Sequence, residues 1–73
     1  MKTVYISQQP VELYKILKFE GLAQSGGEAK TMISEGMVQV NGEIETRKRK
    51  KMMSGDTIQC GSEIFSLQLS PEV

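Results

Sequence analysis

A chain of 73 residues, 38% of them hydrophobic and only four aromatic (Tyr5, Tyr14, Phe19 and Phe65), supports one small core of aliphatics and methionine and no more. It has no histidine and a single cysteine, Cys60, so an internal disulfide is excluded and nothing asks for an oxidising compartment. The net charge of zero hides an asymmetry: Arg47-Lys48-Arg49-Lys50-Lys51 holds five of the nine basic residues, leaving four against nine acidic ones elsewhere.

In chain order, the opening MKTVYISQQPVELYK has no apolar run long enough for a signal peptide or membrane span, and a cytoplasmic protein is expected. Lys2–Ile6 alternates Val4 and Ile6 against Tyr5 and reads as a strand. Pro10 fits the first position of a helix, where its missing N–H costs nothing. That helix runs to about Glu20, with Leu13, Ile16 and Leu17 as its buried stripe. Gly21 ends it, and Leu22 can close back on Leu17.

A second helix follows after Gly21–Ser25, too short a link for anything but a sharp, helix–turn–helix-like bend. Ser25 and Glu28 stand in capping-box spacing, so the serine oxygen accepts from the third helical N–H and the glutamate reaches back to the cap's own N–H. Ala29, Met32 and Ile33 share one face, Gly36 stops the helix, and Met37 can pack back on Met32. Val38 and Val40 then alternate into Asn41-Gly42, a hairpin signal.

A strict two-residue turn would set Val40 against Glu43 and leave Ile44 on the opposite face. Either that face is open, or a bulge returns Ile44 to the core; the bulge is the favoured reading. The basic run has no apolar period and reads as a loop or solvated edge. Met52-Met53 returns to the core, and Ser54-Gly55-Asp56 turns. Thr57–Cys60 is a strand with Ile58 and Cys60 on one face; Glu63–Leu69 is another, with Phe65, Leu67 and Leu69 inward. Ser70–Val73 is expected to fray. There are no repeats and no linker: residues 1–73 make one domain.

Enzymatic readings fail early. With no histidine, and with Cys60 mid-strand and no base near it in sequence, nucleophilic catalysis lacks its parts. The carboxylates are scattered, so neither a metal site nor another cofactor is expected. Ser25-Gly26-Gly27 invites a phosphate-loop reading, but Glu28-Ala29-Lys30 follows where Gly-Lys-Ser/Thr is needed. The glycines ease the inter-helix turn, and a helix start of this kind can still rest against a nucleic-acid phosphate. A ubiquitin-like sulfur carrier would end in Gly-Gly; this chain ends Pro71-Glu72-Val73.

The ordered residues of the second helix and hairpin resemble the small RNA-binding domain named after ribosomal small-subunit protein four, the S-four domain. Its pattern runs Ser-Arg-x-x-Ala-x-x-Leu-Ile-x-x-Gly-x-Val-x-Val-Asn-Gly. Ser25, Ala29, Ile33, Gly36, Val38, Val40, Asn41 and Gly42 match, with Met32 in place of leucine. Gly21-Leu22-Ala23 and Gly55-Asp56 also fall where that family has them, so the resemblance covers roughly Val11–Cys60. Each match alone has a plain structural meaning; the ordered set is specific.

The resemblance implies an α+β fold, two helices on a small, mostly antiparallel sheet, with RNA lying across the two-helix face and the start of the hairpin. It turns the run Arg47, Lys48, Arg49, Lys50 and Lys51 into a phosphate-gripping edge, framed by Asn41 and by the helix start Ser25-Gly26-Gly27. Five like charges in five residues exceed what solubility needs, and two arginines bring forks that suit phosphate. Lys15, Lys18 and Lys30, each alone an ordinary surface lysine, extend a basic track. Two departures stand out: the family's arginine after the serine is Gly26, and its Arg-Leu-Asp reads Glu12-Leu13-Tyr14. The expected function is therefore binding of structured RNA, ribosomal or transfer, read by phosphate and shape because aromatic platforms for unstacked bases are lacking. No membrane and no small-molecule substrate is expected. The rivals are a protein-interaction adaptor that uses the acidic body, and a DNA-binding module.

Overall fold

In the computed structural model, which describes residues 1–70, the chain runs β1 (Lys2–Ile6), β2 (Val11–Glu12), α1 (Leu13–Phe19), α2 (Gly26–Ser34), β3 (Val38–Val40), β4 (Glu43–Ile44), β5 (Lys51–Met52), β6 (Thr57–Cys60) and β7 (Glu63–Leu69). Five strands form one sheet in the order β1-β7-β6-β3-β4, antiparallel except for the parallel pair β1–β7; β2 and β5 pair separately. The fold is α+β, two helices on a mixed, mostly antiparallel sheet. One sheet face, with Val4, Ile6, Val38, Val40, Ile58, Phe65 and Leu67, joins Leu13, Ile16, Leu17, Ala29 and Ile33 of the helices and Met52 in a single core. The registers Tyr5↔Gln68, Gln59↔Ile64 and Gln39↔Ile44 place these six residues on the other face; the outward positions of these five strands carry no charged side chain.

The helix ends follow local rules closely. Leu22 N–H donates to the Leu17 carbonyl at 3.1 Å and Gly21 N–H to Lys18 at 3.1 Å, with Gly21 at φ +78°. The same pair of bonds recurs at α2, Met37 to Met32 and Gly36 to Ile33, with Gly36 at φ +79°. The Ser25 hydroxyl oxygen accepts from Glu28 N–H at 3.1 Å. The Glu28 carboxylate reaches back one residue further than the spacing suggests, to the N–H of Gln24. Ser25→Ala should cost about 1 kcal/mol through the lost cap bond; urea denaturation measures it, and an unchanged midpoint would remove the capping role.

Five expectations need correcting. Pro10 does not open the helix: β2 intervenes, and α1 begins at Leu13. No bulge follows the Asn41-Gly42 turn, because Val40 pairs with Glu43 and Gln39 with Ile44, which leaves Ile44 64% exposed. Two left-handed residues in succession, Asn41 at φ 52° and Gly42 at φ 88°, already match the twist of the strands, so no extra residue is needed. Met52 is fully buried but Met53 is 47% exposed, and Leu69, at the end of its strand, is 44% exposed. Ser70 N–H is bonded to the Ile6 carbonyl at 2.7 Å, so fraying does not begin there. The rest of the expected frayed end, 71–73, lies outside the described residues.

Candidate nucleic-acid interface

The basic run leaves β4 as a loop and ends in β5, whose Lys51 and Met52 pair with Glu12 and Val11. Its backbone is not loose. Glu12, at the N-cap of α1, makes no side-chain cap bond. The orphan donors of that helix find the run instead: Leu13 N–H donates to the Lys50 carbonyl at 3.0 Å and Tyr14 N–H to the Lys48 carbonyl at 3.2 Å. Peptide groups thus hold the loop against α1, and its side chains are left for other uses.

Those side chains divide into two groups. Arg47 is clamped by Glu45, with its Nε at 2.9 Å and its second guanidinium nitrogen at 3.0 Å from the two carboxylate oxygens, and its own N–H adds a third bond at 2.9 Å. Lys51 and Lys15 both lie near Glu12, at 3.8 and 3.7 Å. Glu12, an acid where the resembling family has arginine, therefore bridges two lysines of the predicted track.

Arg49 goes elsewhere, to Tyr14. Its guanidinium carbon lies 5.8 Å from the ring centroid, and Lys30 Nζ, from α2, lies over the same ring at 4.6 Å. Gly26 adjoins it as well: a Cβ there would stand 3.5 Å from the Tyr14 Cε2 carbon. Tyr14, half-buried at the start of α1, is thus where both helices and the basic loop meet. Sequence reasoning missed it. The available signal was its place in the helix, beside the buried Leu13 and four residues before Lys18, which puts Lys18 on the same stripe.

The remaining predicted residues are placed as follows. Lys18 is exposed in the last turn of α1. Ser25 serves the cap, and Gly27 is open, with only the Ser25 hydroxyl 3.9 Å from a Cβ position. The Glu28 carboxylate already supplies an anion at this helix start. Asn41 spends its amide on the fold: Nδ2 donates to Asp56 at 3.1 Å, and Oδ1 accepts from Thr57 N–H at 2.9 Å.

The clamp has a pH signature. Hydrogen bonds from Arg47 hold the Glu45 carboxyl down to about 2. A depressed carboxylate contributes stability above its unfolded value, and this is lost only as pH falls through the folded one. The clamp therefore persists across the neutral range. Carboxyl carbon NMR should show Glu45 titrating near 2 in the wild type and near the ordinary carboxylate value in Arg47→Gln; identical titrations would remove the clamp. Burial pushes the Cys60 thiol up, which suits a packing residue rather than a nucleophile. Among the described residues no helix is long and apolar enough to cross a membrane.

Comparison with known proteins agrees with this fold. Residues 4–68 match the S4 domain family. YbcJ of Escherichia coli (strain K12), provisionally named an RNA-binding protein, is 48% identical over 59 residues, covering 80% of this chain and 84% of its own. RlbA of Bacillus subtilis (strain 168), provisionally named a ribosome maturation protein, is 36% identical over 56 residues, covering 77% and 79%. The solution structure of the Escherichia coli YbcJ, described as revealing an alpha-L motif involved in RNA binding, superimposes with a TM-score of 0.71 at 40% identity, over 93% of this chain and 87% of that one.

Proposed function

Because the chain belongs to the S4 domain family, we propose that it binds structured RNA on the surface formed by α1, α2 and the loop 47–51, and that it acts by binding alone. The observation that carries this reading is the convergence of Lys30 and Arg49 on Tyr14, beside a basic loop held to α1 by its own carbonyls. Lys48 and Lys50 stand in the same loop, and Lys18 extends the α1 side. Lys15, Lys51 and Arg47 add charge that Glu12 and Glu45 partly offset. Ser25, Gly26 and Gly27 shape the α2 start, and Asn41 sets the hairpin turn that precedes the loop.

Sidedness supports the reading too, since the outward sheet face offers a phosphate no cation. Shape and phosphate suffice for recognition, because A-form grooves conceal base edges from side chains. Ribosomal RNA is favoured over transfer RNA, in keeping with the ribosome maturation role in the name of the Bacillus subtilis relative.

Salt dependence tests the proposal. Filter binding to a ribosomal RNA hairpin and to a transfer RNA, between about 50 and 300 mM salt, should give a log–log slope of roughly −3 to −5 as phosphates are neutralised. Tighter binding of the ribosomal fragment is expected. A flat response would sink the RNA reading and leave the protein-adaptor alternative.

A further inference from the structure

We infer that Tyr14 is a positioning residue of the RNA surface, whose ring gathers Lys30 and Arg49 into one cationic pair before RNA arrives. The inference rests on the RNA-binding reading above and deepens it. Three segments far apart in sequence meet on this residue. Its backbone N–H donates to Lys48 in the loop. Its ring faces Arg49 of the same loop at 5.8 Å and Lys30 of α2 at 4.6 Å. Gly26, lacking a side chain, lets the start of α2 come down beside the ring.

A cation within about 6 Å of an aromatic centroid is drawn to the negative face of the ring. Neither Lys30 nor Arg49 takes part in an ion pair with the acids that engage Arg47, Lys15 and Lys51. The ring orders these two side chains without cancelling their charge, which a carboxylate would do. Long basic side chains lose rotamer freedom when they grip a phosphate, and ordering them beforehand removes part of that cost. A carboxylate at this position would pair with the cations and offset their charge; the phenol ring aims them and leaves that charge uncompensated.

The test compares Tyr14→Leu, which keeps apolar bulk against the core, with Tyr14→Phe, which keeps the ring. In the free wild-type protein, the Lys30 ε-methylene and Arg49 δ-methylene protons should show upfield ring-current shifts by NMR. Those shifts should persist in Tyr14→Phe and vanish in Tyr14→Leu. Affinity for the ribosomal RNA hairpin should fall roughly three- to tenfold in Tyr14→Leu and hold in Tyr14→Phe. The salt slope of Tyr14→Leu should stay at the wild-type value, because every charge remains, whereas Lys30→Gln should make it shallower by about 1.

Wild-type affinity in a folded Tyr14→Leu, or no ring-current shift in the wild type, overturns the inference. So does an equal loss in Tyr14→Phe, which would make the hydroxyl an RNA contact. Should the wild type bind neither RNA, the functional reading fails and the RNA role of Tyr14 fails with it. The ring-current comparison would still say whether the cations are gathered.

Discussion

Replacing Arg47, Lys48, Arg49, Lys50 and Lys51 together with glutamine is expected to weaken RNA binding roughly a hundredfold near physiological salt while the domain stays folded. An exposed ion pair contributes about 0.2–1 kcal/mol, so five at mid-range sum to nearly 3 kcal/mol, or about two decades of affinity. Two of the five already have acidic neighbours, which keeps the estimate from rising further. The fold tolerates the change because the loop is attached through the carbonyls of Lys48 and Lys50, which glutamine also supplies. The salt slope should flatten in parallel, since the phosphates it counts lose their partners. Gel shifts and a thermal melt read the two halves of the expectation. A folded variant with wild-type affinity would move the binding site off the loop.

The second large effect lies beneath the site. Met52 is fully buried while its neighbour Met53 is 47% exposed. Met52→Ala should cost about 2–4 kcal/mol, because the surrounding core closes only partly on the space left. In a domain of this size that lowers the melting temperature by about 10 °C or more. Met53→Ala, a surface truncation, should stay within about 0.5 kcal/mol. Met52 is the side chain that pins the end of the basic loop, so its loss should also loosen that loop at temperatures where the variant remains folded. Equal shifts from the two truncations would mean that the core does not hold the loop.

What the sequence made legible is what its local rules determine. The second helix, from the Ser25 cap to the Gly36 stop, is specified by residues within and just beside it, and it appears with its expected bounds. The glycine stop of α1, the strands at both ends of the chain and the buried stripe Leu13, Ile16 and Leu17 follow equally from short-range pattern. The start of α1 was misplaced because its first donors are satisfied by Lys48 and Lys50, and no window around Pro10 contains them. Ile44 was drawn inward by its hydrophobicity alone, although the register left it outside.

The candidate site was legible as charge and not as geometry. A run of five cations is visible in any reading of the chain. That Arg47 and Lys51 are answered by Glu45 and Glu12, and that Tyr14 collects Lys30 and Arg49, depends on contacts across the fold. Aromatic residues at helix starts are common, and nothing local distinguishes one that faces two cations.

The carbonyls that cap α1 also set when the surface comes into being. During synthesis, Leu13–Phe19 emerges from the ribosome ahead of Lys48 and Lys50, which follow it in the chain. A seven-residue helix without its cap is too short to persist in water. At about 5–20 residues per second the wait is a few seconds, during which the nascent chain displays neither the helix face nor the loop. On the proposed reading, competence for RNA therefore arrives late, once Met52 has emerged and the two segments can close on each other. On the same reading, a fragment stopping after the hairpin would carry the residues of both helices and still fail to bind RNA.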